Sequence, residues 1–248
     1  AIIPLLYFIY KKIVNKQDII KILIAIVLGG VAGVAGWIMV KSGLKQHTVL
    51  VNPVNLMSHI FVAAIIVAYV LRVALEYLYP KERARYNESQ RRLFTLLVIL
   101  VLVQICLGAL VAGSKAALVC TTFPLMNGHI YPQDLNFAAV ETVEYSTKML
   151  FQFIHRMVAY GIFLYVIFLF FHTRNTLAQF QFHRTRWLLL GMVIVQLLLG
   201  IFTLIYSQGR VPVGLGVLHQ LGGFLLLIFS VEGHYFIKYR AINTASIR

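Results

Sequence analysis

Apolar residues run along this chain in long blocks, and polar residues gather in the gaps between them. Full blocks fall near 21–42, 55–79, 93–113, 149–172, 186–206 and 213–237. A helix of about 20 apolar residues crosses a hydrocarbon layer of roughly 30 Å, whereas a membrane barrel strand needs only about 10. Lipid admits only helices or closed barrels, because every backbone polar group must be satisfied internally. The pattern predicts an all-α, polytopic membrane protein. One further apolar stretch, AIIPLLYFIY at 1–10, is too short to span and precedes Lys11 and Lys12. A signal peptide carries its charges before the apolar run. Here they follow it, so the stretch reads as the end of a membrane helix that starts upstream, with a re-entrant or interfacial piece as the alternative.

Composition agrees with this reading. Hydrophobic residues make up 60% of the 248 and charged residues 12%, with a mean hydropathy of +0.83, too apolar for a soluble domain. The net charge of +14 follows topology rather than a nucleic-acid partner. Basic residues collect at 11–21, 81–92, 174–186 and 238–248. These are alternate connections, which the positive-inside rule places in the cytoplasm or its equivalent. There they meet acidic lipid headgroups. Connections 43–54, 114–148 and 207–212 face outward. Segment 134–148 reads either as an interfacial helix or as a linker.

Helix pairs repeat. VLGGVAGVAGWIMVKSGL is followed by a returning helix with His59, and VIVQLLLGIFTLIYSQGR by one with His219. Between them, LVLVQICLGALVAGS precedes a helix with His155. Gln104–Gly108 (QICLG) and Gln196–Gly200 (QLLLG) occupy matching places, and the first pair has Ala32–Gly36 there. Segments 93–248 form one four-helix bundle, 80–92 is a cytoplasmic-side linker, and 1–79 is the remainder of an N-terminal half. If the halves are equivalent, the helix ending at Tyr10 carries a fourth histidine upstream of Ala1.

Each histidine lies near the outer end of its helix. An imidazole inside a membrane is costly without a partner, and haem iron suits two that face each other across a bundle. A bond from each imidazole to a nearby backbone or hydroxyl group is the alternative. His155 and His219 meet the depth requirement for an iron-ligating pair. His172 and His234 follow by 17 and 15 residues, about 26 and 22 Å along a helix, which suggests a second haem level. The rotation about the helix fits this poorly. His47, His129 and His183 fall in connections. Arg156 is placed either to pair with a haem propionate or to snorkel to headgroups. Glu76 and Glu232 read as paired or interfacial. Cys106 reads as a core residue, Cys120 lies in an outer connection, and no structural disulfide is expected. No catalytic triad, zinc motif or phosphate-binding glycine loop is present.

GWIMVKSGL (36–44), QICLGALVAGSKAALVCTTFPLMNGHIYP (104–132), FQFIHRMVAY (151–160) and VLHQLGGFLLL (217–227) resemble the haem A synthase family in order and spacing, across essentially the whole chain. That resemblance implies eight helices in two pseudo-equivalent four-helix bundles, six complete helices being present here. It implies a cofactor haem b between His155 and His219, with Arg156 beside it. It also implies substrate haem O in the N-terminal half, where His59 is the catalytic residue and an iron ligand. The second ligand, with a nearby glutamate, belongs to a helix present here only by its end. The implied reaction oxidises a methyl of haem O to a formyl through a hydroxymethyl intermediate, with electrons moving between the two haems. Paired cysteines in outer loops are frequent in the family, and the lone Cys120 departs from that. The partners expected are membrane lipids and the synthase that supplies haem O, with no nucleic acid, and the oligomeric state stays open between a single chain and a homo-oligomer. The implied location is a bacterial plasma membrane or an equivalent energy-transducing membrane, with the haem sites toward the outer side. A bis-histidine electron-transfer cytochrome b and a haem-transfer chaperone are the competing readings.

Overall fold

The computed structural model describes residues 2–44, 50–79, 88–133, 135–176, 178 and 180–237. His47, most of the 80–92 linker and the tail 238–248 lie outside the described residues. Helix α1 is Ile2–Tyr10, α2 Lys16–Gly43, α3 Pro53–Leu78, α4 Glu88–Gly113, α5 Val140–His172, α6 Phe180–Ile205 and α7 Val213–Phe236. Among the described residues, α2 to α7 are long and apolar enough to cross a membrane. The chain is an all-α integral membrane protein.

Four of these helices begin five to nine residues earlier than hydrophobicity alone places them. The extra turns are polar or mixed and stand clear of the apolar block, where backbone bonds, and in α2 a side-chain cap, sustain them without lipid. Asn15 caps α2 by accepting from the Asp18 backbone at 2.9 Å. Asn52 does the same for α3 through Val54 at 2.9 Å, with Pro53 at the first helical position, where a missing N–H costs nothing. Part of segment 134–148 resolves the same way, since 140–148 forms the first turns of α5. His183, expected in a connection, sits in the first turn of α6, half-buried.

Helices α4 to α7 close into a square: α4 packs on α5, α5 on α6, α6 on α7, and α7 back on α4. α5 and α7 therefore stand diagonally opposite. α3 packs against α4 and α7 on the outside of the square, and α2 packs on α3. The bundle is filled at the end near the basic connections, where Phe94, Leu97, Phe182, Leu227, Tyr235 and Phe236 are almost fully buried. Phe94 and Phe182 meet edge-on, with centroids 5.6 Å apart. At that same end Glu76 pairs with Lys21 of α2 at 3.2 Å and with Arg72 at 2.9 Å. Glu232 of α7 accepts from Thr185 of α6 at 3.1 Å.

Candidate functional site

The opposite half of the square is hollow. A cavity of about 440 Å³ lies between α4, α5, α6 and α7, a volume typical of small-ligand sites. Apolar side chains such as Val101, Ile105, Phe163, Val193 and Phe224 form much of its wall. His155 and His219 project into it from the diagonal helices, with ring centroids 6.3 Å apart and planes at 81°. A metal bonded to a nitrogen of each ring, at about 2 Å on either side, accounts for that separation.

Several polar atoms around the cavity are buried without a hydrogen-bond partner: Nδ1 of His155 and His219, Oε1 of Gln104 and Gln196, the Tyr160 hydroxyl and Nε of Arg156. All six residues line the cavity. Unpaired polar atoms in an apolar interior are costly, and so many around one space fit a ligand that carries both a metal and polar groups. The cations Lys115 and Arg156 line this space, and no carboxylate does among the described residues. A dianionic ligand fits that charge.

Each histidine sits over a glycine of the preceding helix in its pair. A Cβ on Gly108 would stand 3.2 Å from His155 Cε1, one on Gly200 3.0 Å from His219 Cε1, and one on Gly36 3.1 Å from His59 Cε1. The three copies inferred from sequence share this contact. Gln104 Nε2 donates to the His155 carbonyl at 3.0 Å and lies 3.4 Å from the His155 ring nitrogen Nε2. Gln196 Nε2 donates to the His219 carbonyl at 2.8 Å. In the first pair the Ala32 backbone carbonyl lies 3.1 Å from His59 Nδ1. That contact selects the Nδ1–H tautomer and leaves the Nε2 lone pair of His59 free for a metal.

Arg156 does not snorkel to headgroups. It is 7% exposed and donates to the carbonyls of Thr122 at 3.0 Å and Cys120 at 3.1 Å. One turn earlier, Gln152 donates to Ala116 at 2.9 Å and to Cys120 at 3.0 Å. These two side chains pin the connection after α4 across the mouth of the cavity, and Ala117 and Phe123 of that connection line the space beneath. Cys120 is buried, and both cysteines are free. Sequence reasoning gave Gln152 and Tyr160 no role, although polar residues on the Arg156 face of an otherwise apolar helix were a visible signal.

His59 lies outside this cavity and faces α2, while its neighbour Ile60 lines the cavity wall. His172 is exposed and stacks on Phe168 of its own helix, with centroids 5.1 Å apart, so it does not look into the bundle. His129 is exposed in the 114–139 connection.

A family model described as cytochrome oxidase assembly protein, COX15-CtaA, matches residues 1–231. The chain belongs to the COX15-CtaA family. It is 31% identical over 250 residues to a haem A synthase of Wolbachia pipientis wMel, covering 99% of this chain and 67% of that protein. It is 34% identical over 229 residues to one of Flavobacterium johnsoniae, covering 91% and 66%. Against one of Bartonella quintana the identity is 33% over 247 residues, covering 98% and 68%. The chain thus spans about two thirds of the length of these curated relatives. His59, the His155–His219 cavity and the pinned connection all fall within the segment matched to the COX15-CtaA family.

Proposed function

We propose that this chain carries haem A synthesis, oxidising a methyl of haem O to a formyl by way of a hydroxymethyl intermediate. The observation that carries the reading is the His155–His219 pair, centroids 6.3 Å apart inside an apolar cavity, in a family whose relatives bear the name haem A synthase. His155 and His219 hold the iron of a cofactor haem b. Bound there, that haem supplies one-electron chemistry that no side chain of the cavity provides.

The chain's own groups do the rest. Apolar walls exclude water, and Gln152 and Arg156 hold the connection that covers the mouth. Arg156 keeps an unpaired Nε at the cavity and pairs through it with a haem carboxylate. His59 presents Nε2 to the iron of substrate haem O, its tautomer fixed by Ala32. Helices α2 and α3 form the substrate side, and α4 to α7 form the cofactor bundle. The sites lie toward the outer face of a bacterial plasma membrane or its equivalent, with the basic connections inside. The enzyme that makes haem O is the natural supplier.

The test is extraction of haem from protein produced alongside haem O, separated by reversed-phase chromatography with mass detection. Haem b together with haem O, its hydroxylated form or haem A is the expected result. Haem b alone, with haem O available, overturns the synthase reading in favour of an electron-transfer cytochrome.

A further inference from the structure

We infer that the two Gln-x-x-x-Gly segments, Gln104–Gly108 and Gln196–Gly200, are positioning units for His155 and His219 that set the bond between imidazole and iron. The inference rests on the bis-histidine reading above.

Three observations meet here. Each glutamine reaches across its helix pair to the carbonyl of the histidine itself, at 3.0 Å for His155 and 2.8 Å for His219. That carbonyl has a second lone pair beyond the one its own helix uses, so the bond fixes the level of the histidine against the neighbouring helix. One turn on, a bare glycine Cα receives the ring, and a methyl there would approach Cε1 to 3.2 Å or 3.0 Å. Any added bulk pushes the imidazole toward the bundle axis, where the other ring stands.

The third observation concerns the protons. A metal-bound imidazole ordinarily donates its other ring N–H to an acceptor, which makes the ligand more basic. Nδ1 of both histidines and Oε1 of both glutamines are buried and unpaired. In the third copy of the repeat the matching position is Ala32, and its carbonyl lies 3.1 Å from His59 Nδ1. The same register therefore already meets an imidazole Nδ1 at one of the three histidines. That acceptor is a backbone carbonyl, so the backbone carbonyls of Gln104 and Gln196 hold the matching place for His155 and His219, and the glutamine side chains act through the histidine carbonyls that they bind.

The experiment uses the purified protein with its haem, read by redox titration and by electron paramagnetic resonance of the ferric form. Gln104→Leu and Gln196→Leu remove the donor to the histidine carbonyl. They are expected to weaken haem retention by about 10- to 100-fold and to shift the midpoint potential positive. Gln104→Glu and Gln196→Glu lose the same donor and shift the potential negative through their charge alone, so the ferric g values, which follow ring position, separate positioning from charge. Gly108→Ala and Gly200→Ala change the ferric g values, while Gly161→Ala and Gly191→Ala, which face open space, leave them unchanged. Unaltered potentials and g values across the glutamine and glycine series overturn the inference. A low-spin bis-histidine signal that is absent from the parent protein, or that survives His155→Ala, overturns the underlying reading instead.

Discussion

The guanidinium of Arg156 donates to the carbonyl of Cys120, 36 residues earlier in the chain, at 3.1 Å. A charged group in a membrane helix thus closes a connection over a cavity rather than reaching for headgroups. Removing it leaves the Thr122 carbonyl without that donor and the Cys120 carbonyl with Gln152 alone, a cost of about 1 kcal/mol. Arg156→Met is expected to lower the melting temperature in detergent by roughly 2–4 °C per kcal/mol lost. It is also expected to expose the connection to trypsin after Lys115. An unchanged melting curve and an intact connection contradict the clamp.

Cys120 reports on the same clamp chemically. At 2% exposure its thiol is expected to resist a soluble maleimide in the parent protein. In Gln152→Leu or Arg156→Met, labelling is expected to quicken about tenfold, matching a lost 1.4 kcal/mol. Mass spectrometry of the labelled peptide distinguishes it from Cys106. Equal labelling rates show that the connection opens freely with the clamp intact.

The three site histidines are expected to separate by phenotype. His155→Ala and His219→Ala each lose the low-spin haem b absorption. His59→Ala keeps it and makes no haem A. Full haem A production by the His59 variant removes that residue from the reaction.

At the filled end of the bundle, a Cβ on Gly233 would stand 2.5 Å from Phe94 Cε1. Phe94 is 1% exposed and cannot move aside cheaply. Gly233→Ala is therefore expected to cost about 1–3 kcal/mol through overpacking while leaving the haem spectrum intact, because the cavity lies at the other end. Thermal unfolding followed beside the absorption spectrum checks both halves of this statement.

Glu76 binds Lys21 and Arg72, but the three side chains are 23–31% exposed. Such pairs contribute at most about 1 kcal/mol each. Glu76→Gln is expected to change stability only slightly, and less at high salt. A loss of several kcal/mol indicates that the network carries the α2–α3 contact.

Membrane class, the six long apolar helices and the common level of His155 and His219 were legible because lipid imposes a length and a polarity that sequence cannot disguise. The repeat was legible too, since QICLG and QLLLG fall at matching places in the helices that precede those of His155 and His219. Hydropathy hid the polar first turns of α2, α4, α5 and α6, because it registers only what lipid must cover. Arg156 was half legible: its position near the cavity was plain, but its bonds to Cys120 and Thr122 depend on how an irregular connection folds back. The seating of His155 on Gly108 was not legible, since spacing along two helices does not fix their rotation against each other.

His59 and Ile60 are consecutive on α3, one turned toward α2 and the other forming part of the cavity wall. Successive helical residues point about 100° apart, so a single backbone separates the His59–α2 contact from the cavity. One turn of α3 therefore serves both the α2 contact and the cavity wall, so the two share a single backbone position.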